Sequence, residues 1–217
     1  MDGCRRRRPS SNCFSTVSEN ENVALVFIDN SNIFINTQQH SARIKEYLPN
    51  VQDSCRRIDY RKLLNVACEG KILLAGKLYG SEPPPLKKVW DAIRRSEIEV
   101  HTSKKSFLSK EKATDTALIA DAVELIIELK NADLDQHFIL FSGDRDMLPV
   151  VLKAIRHGWN VQVWAYRNSI AKDFEREKRK SDKIEIFYMD DYFDAVTFSE
   201  PYLDDQKIPR ERSLVLT

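Results

Sequence analysis

The run Val23-Ala24-Leu25-Val26-Phe27-Ile28 is unbroken apolar chain that stops at Asp29. A strand with one wet face alternates polar and apolar side chains. An unbroken run instead suits a strand covered on both faces, as in a parallel sheet wrapped by helices. Other stretches of the chain read as strands too. Ile72 to Gly80, Glu97 to Thr102, Phe138 to Phe141, Val161 to Ala165 and Ile184 to Tyr188 read as further strands. Helical stretches fall between them, at about Asp59 to Glu69, Leu86 to Arg95, Asp115 to Lys130, Met147 to His157 and Ile170 to Lys180. Asp59 suits the N-cap of the first and Gly70 its stop. Pro83-Pro84-Pro85 suits the lead into the second, because first-turn N–H groups have no intrahelical partner. The third carries Leu118, Ile119, Ala122, Val123, Ile126 and Ile127 on or near one face. Strands alternating with helices predict an α/β fold, an open and mostly parallel sheet with helices on both sides.

With 217 residues the chain suits one domain with tails. Residues 1–21 are polar and rich in Ser, Asn and Arg, and read as disordered. The domain is expected over 22–195, with 196–217 as a polar tail. Residues 37–57, polar and holding Pro49, read as an insertion with a short helix around Ala42 to Tyr47. An apolar fraction of 42% supports a core that needs no disulfide. Cys4, Cys13, Cys55 and Cys68 form no CxxC pair, which argues against a zinc knuckle or disulfide framework and for a reducing, intracellular setting, cytoplasm or nucleus. No apolar run reaches the roughly 18 residues that span a bilayer. Arg5 to Arg8 has no apolar segment behind it, so it is not a secretory signal; it reads as a solvated tail, with an import or RNA-binding arm as the alternative.

In open parallel sheets, ligands bind outside the carboxyl ends of the strands. Two strong strands end there in aspartate: the first at Asp29, and Phe138 to Phe141 at Ser142-Gly143-Asp144-Arg145-Asp146. Asp115 opens the long helix, which begins on the same edge if the preceding strand is parallel. Asp29, Asp115, Asp144 and Asp146 can therefore converge. Grouped carboxylates repel, and a divalent cation relieves that cost. Oxygen donors without His or Cys point to Mg²⁺ or Mn²⁺ rather than Zn²⁺. The plainer alternatives are turn residues at Asp29 and Asp144 and helix caps at Asp115 and Asp146. Asp121 lies about 120° around the helix from Asp115, which allows either a place facing the crevice or a surface interaction.

Three segments resemble the NYN domain, a PIN-like nuclease family. They are Phe27-Ile28-Asp29-Asn30-Ser31-Asn32, then Lys112-Ala113-Thr114-Asp115-Thr116-Ala117-Leu118-Ile119-Ala120-Asp121-Ala122, then Ser142-Gly143-Asp144-Arg145-Asp146-Met147-Leu148-Pro149-Val150. The resemblance covers about residues 22 to 195. It implies a three-layer α/β/α sandwich and a Mg²⁺ or Mn²⁺ site at Asp29, Asp115, Asp144 and Asp146, with Asn32 beside the metal or its waters; Asp121 and Ser142 are further candidates beside it. The implied activity is hydrolysis of RNA phosphodiesters. The chain departs from the family's pattern at Asn30, where Gly is common, and in the length of residues 37–57.

A net charge of +1 gives no bulk attraction to nucleic acid, so any such surface must be local. Lys104, Lys105, Lys110 and Lys112 precede Asp115, and Arg145 separates Asp144 from Asp146. These are the candidate phosphate contacts, against the alternatives of loop solubility and a salt bridge at Arg145. Residues Lys172 to Lys183 mix signs and read as a solvated face. Trp90, Trp159 and Trp164 fit the core, and Tyr79 is the better base-stacking candidate. The leading function is a metal-dependent ribonuclease. The runner-up is an RNA-binding or scaffold module of the same fold with little catalysis. A haloacid dehalogenase-type phosphohydrolase is set aside, because Asp29 is followed by Asn30 and Ser31, not by a second Asp. The expected partner is RNA; further copies of the chain or proteins of RNA metabolism stay open, and no membrane is expected.

Overall fold

The computed structural model of the protein describes residues 21–81, 98–103 and 111–200. In chain order the elements are β1 (Asn22–Asp29), α1 (Asn30–Ile44), β2 (Arg56–Ile58), α2 (Tyr60–Ala67), β3 (Ile72–Ser81) and β4 (Ile98–Ser103). There follow α3 (Glu111–Glu128), β5 (Asp135–Phe141), a single 3₁₀ turn (Arg145–Met147), α4 (Leu148–Arg156), β6 (Asn160–Ala165), α5 (Lys172–Lys178), β7 (Ile184–Tyr188), α6 (Met189–Val196) and β8 (Thr197–Ser199). The predicted helix at 86–95 and Trp90 lie outside the described residues.

Six strands form a wholly parallel sheet in the order β4-β3-β1-β5-β6-β7. The unbroken apolar run of β1 now has its reason. Ala24, Val26 and Ile28 enter a core closed by α1, α2 and α6, with Ile33, Leu63 and Phe193. Leu25 and Phe27 enter a second core closed by α3, α4 and α5, with Leu118, Val150 and Phe174. All of Val23 to Ile28 are at 0% exposure. Each such side chain contributes about 1.5–3 kcal/mol of burial, and a one-residue slip would exchange every side chain between the two faces. This is the expected three-layer α/β/α sandwich.

The order also shows where ligands can enter. From β1 the chain builds outward through β3 and β4, then crosses by α3 to β5 on the other side. The strand order therefore reverses at β1 and β5, and the crevice of such sheets opens at that switch point, beyond the carboxyl ends.

Three expectations need correction. Residues 37–57 are not a loose insertion: α1 runs unbroken to Ile44, and no separate helix spans Ala42 to Tyr47. The signal was hidden because α1 buries polar side chains, Thr37, Gln38 and Ser41, in line with Ile33 and Ala42. The tail does not begin at 196, because β8 pairs antiparallel with β2, and Asp59 N donates to Val196 O at 2.8 Å. The long helix starts by Glu111, so Asp115 lies in its interior and not at its cap. Glu111, Lys112 and Ala113 are good helix formers and carry the helix backwards. Elsewhere Asp59 caps α2, accepting from Lys62 N at 3.1 Å, as expected. Trp159 and Trp164 are core residues, 0% and 2% exposed.

Candidate active site

The first ligand candidate is set by a strand end and a helix start at once. Asp29 closes β1 and is the N-cap of α1, where its Oδ1 accepts from Asn32 N at 3.1 Å. Its other oxygen, Oδ2, accepts from the Ser142 hydroxyl at 2.9 Å. Asp29 is only 6% exposed and Ser142 is fully buried. Ser142 Oγ also accepts from Asp144 N at 3.1 Å, and Asn32 Oδ1 accepts from Gly143 N at 3.1 Å. Two side chains of the first motif are thus tied directly to the loop after β5. Asp144 in turn caps the 3₁₀ turn, with Oδ1 accepting from Asp146 N at 3.0 Å. Capping of this kind falls to Asp144 and not to Asp146; α4 begins at Leu148, with Met147 at its N-cap and no side-chain cap.

Glycine is required inside the third motif for space. A Cβ on Gly143 would stand 2.6 Å from the Ser169 carbonyl oxygen. The loop after β6 is drawn against it, and Ala171 N donates to Gly143 O at 2.9 Å. The departure at Asn30 is matched elsewhere. Gly80 leaves room for it, since a Cβ there would meet Asn30 Cβ at 3.1 Å. Asn30 Oδ1 accepts from the Tyr60 hydroxyl on α2. The extra side chain therefore turns onto β3 and α2.

On α3, Leu118, Ala122 and Ile126 are fully buried and define the stripe facing the sheet. Asp115 lies one turn before Leu118 on that stripe, half-buried. Because α3 runs back against the parallel strands, this turn lies toward their carboxyl edge. Asp121 faces the sheet differently. Its Oδ2 accepts from the Tyr79 hydroxyl and from Lys77 Nζ at 3.1 Å. The Tyr79 hydrogen bond, with help from Lys77, outweighs partial burial and holds the Asp121 carboxyl below its ordinary range. Burial, and then Asp121 itself, push the Tyr79 hydroxyl far above its ordinary value. Asp121 is therefore a clamp between α3 and β3. Tyr79, 2% exposed, is no base-stacking platform. The sequence did hold the signal for this clamp: Lys77 interrupts an apolar strand and Asp121 an apolar helix, with opposite charges.

Arg145 is exposed and pairs with Asp173 Oδ2 at 3.3 Å, a salt bridge made to α5 rather than to a flanking carboxylate. Lys104, Lys105, Lys110 and the side chain of Lys112 lie outside the described residues. Asp146 is exposed. Among the described residues no group of three His, Cys, Asp or Glu comes together closely enough to hold a metal ion. Full convergence of four carboxylates is therefore not what this chain's geometry shows. What remains at the switch point is the pair Asp29 and Asp144, joined through Ser142. All are oxygen donors. That set fits a cation such as Mg²⁺, which keeps several waters and takes one or two carboxylates; it does not fit a dry, all-protein cage.

No curated protein matches the chain. A solved structure of a protein of unknown function from Vibrio parahaemolyticus shares the fold, with a TM-score of 0.56 at 20% identity, over 80% of this chain and 95% of that one. The pattern of the NYN domain matches residues 23–184, from the first residues of β1 to the start of β7, and so includes every carboxylate named above. The chain belongs to the NYN domain family.

Proposed function

We propose that this chain is a metal-dependent ribonuclease, hydrolysing RNA phosphodiesters at the switch point between β1 and β5. The observation that carries the reading is the direct link of Asp29 to the Asp144 loop through buried Ser142, at the edge where open α/β sheets bind ligands. Asp29 and Asp144, with Asp115 and Asp146, would hold Mg²⁺ or Mn²⁺. When bound, that ion supplies positive charge for the phosphate oxygens and a more acidic water. Ser142 and Asn32 fix the two carboxylate-bearing segments relative to each other, so that this charge is placed before substrate arrives. Lys104, Lys105 and Lys112 would bind neighbouring phosphates on the way into α3.

A second reading has an observation of its own. Both oxygens of Asp29 already accept hydrogen bonds, which suits an RNA-binding module with little catalysis. Labelled single-stranded RNA incubated with the full chain and Mn²⁺, with and without EDTA, separates the two. The nuclease reading expects cleavage that EDTA abolishes, and a loss of at least about a hundredfold in Asp29→Asn and in Asp144→Asn. Binding without cleavage in every arm establishes the module instead.

A further inference from the structure

A cavity of about 420 Å³ opens at the carboxyl edge beside β4, lined by Tyr79, Val100, His101, Thr102, Thr114 and Ala117. It lies within the range of roughly 300–1,000 Å³ that suits small ligands. Its place follows from the register. Asp29 is level with Tyr79 across β1 and β3, and Tyr79 is level with His101 across β3 and β4. Asp29, Tyr79 and His101 thus form a row along one edge. With neighbouring strands about 4.8 Å apart, His101 stands about two spacings, roughly 10 Å, from Asp29. That is about the reach of one nucleotide from phosphate to base.

The described lining suits a base. Among the described residues no Lys or Arg lines the cavity, and the acidic Glu99 lies 3.1 Å from His101. The His101 ring stacks on Tyr79, centroids 4.7 Å apart and planes 5° from parallel. Tyr79 stacks in turn on Phe27 in the core, and Asp121 holds its hydroxyl. The imidazole is thus a fixed plate on a buried aromatic column, with its side chain 35% exposed. Threonine side chains and the methyls of Val100 and Ala117 complete a wall of mixed character, as base recognition requires. Glu99 Oε1, though near, makes no aligned hydrogen bond with His101 Nε2.

We infer that this cavity is a nucleobase subsite, in which His101 stacks on the base of a nucleotide next to the phosphate held at Asp29. The inference rests on the RNA reading above. It assigns the stacking role that the sequence suggested for Tyr79 to the exposed ring above it.

The test walks a single abasic position along a short single-stranded RNA and measures binding to the full chain. The buffer holds Ca²⁺ in place of Mg²⁺, the samples stay on ice, and strand integrity is checked on a gel. At one position the missing base should weaken binding to wild type by about 5- to 150-fold, the usual worth of one stacked base. In His101→Ala the intact and abasic strands should bind alike, and His101→Phe should restore the penalty. The subsite is overturned if wild type binds intact RNA but tolerates the gap everywhere, or if His101→Ala keeps the penalty. The walk on wild type needs no variant, so a folding failure in His101→Ala leaves it decisive. If wild type binds no RNA at all, the RNA reading itself fails, and the subsite with it.

Discussion

Asp29 has two duties, and substitutions can part them. It caps α1 through Asn32 N and stands at the crevice. Asparagine keeps a cap acceptor and alanine does not, so Asp29→Ala should lose about 1 kcal/mol more stability than Asp29→Asn. Urea titrations of both, beside the cleavage assay, check this: equal stabilities would show that the cap contributes nothing. Gly143 is constrained by crowding alone. Its Cβ position lies 2.6 Å from a backbone oxygen of the loop after β6, which cannot swing aside as a side chain can. Gly143→Ala should therefore lower stability by about 1–3 kcal/mol and loosen the Asn32 contact to Gly143 N, with cleavage falling in parallel. A melting temperature equal to wild type would mean the loop yields freely.

At the scale of elements, residues 45–58 and 197–200 show why part of the fold was not legible. Most of the sheet strands were legible as apolar runs, with β4 (Ile98–Ser103) a short alternating exception, and the acidic pair Asp29 and Asp144 because each follows such a run. The link after α1 has no apolar pattern. It is organised by one buried carboxylate. Asp53, at 0% exposure, accepts from the Ser41 hydroxyl at 2.6 Å and Cys55 N at 3.1 Å, and pairs with Lys45 Nζ at 2.9 Å. β2 and β8 are three residues each, too short for a periodic signal, and their pairing spans 141 positions where Arg56 Nε donates to Thr197 Oγ1 at 2.9 Å. Likewise the Asp121 clamp depends on which helix face meets β3, which periodicity alone left open. Burial pushes the Asp53 carboxyl up, but its hydrogen bonds from Ser41, Lys45 and Cys55, with the Lys45 charge, prevail and hold it below its ordinary 3.8. A carboxyl depressed in the folded state stabilises above the unfolded pKa of about 3.9 and loses that stabilisation as pH falls through its folded value. Asp53→Asn should cost about 1.5–3 kcal/mol near neutral pH, the worth of hydrogen bonds to a charged group. The gap to wild type should narrow below about pH 4. Denaturant midpoints of both proteins across that interval decide it; a gap independent of pH would mean that shape, not charge, gives Asp53 its role.

For the whole molecule, charge is balanced in total and uneven in place. The chain carries 34 basic and 33 acidic side chains, yet Asp29 and the Asp144 loop meet through Ser142 at the switch-point edge. The hydrogen bonds that Asp29 and Asp144 accept lower the cost of folding without metal. A cation that binds only the native edge must then stabilise the entire sandwich by mass action, about 2.7 kcal/mol at a hundred times its Kd. For a domain of this size each 1 kcal/mol moves the melting temperature by about 2–4 °C. Saturating Mn²⁺ should accordingly raise it by roughly 5–10 °C. Asp144→Asn should blunt that rise while preserving the metal-free melt. Asp115→Asn separates the two walls of the crevice: a blunted rise makes Asp115 a ligand from α3, and a full rise leaves the ion on the strand-end side alone. Lys104 and Lys105 provide the complementary contrast, since replacing both with alanine should flatten the salt dependence of RNA binding by roughly 0.7 per lost contact and leave the Mn²⁺ shift untouched. If millimolar Mn²⁺ moves no melting temperature and calorimetry detects no heat of binding, the edge is not a metal site, and the pair at β1 and β5 serves the RNA-binding module instead.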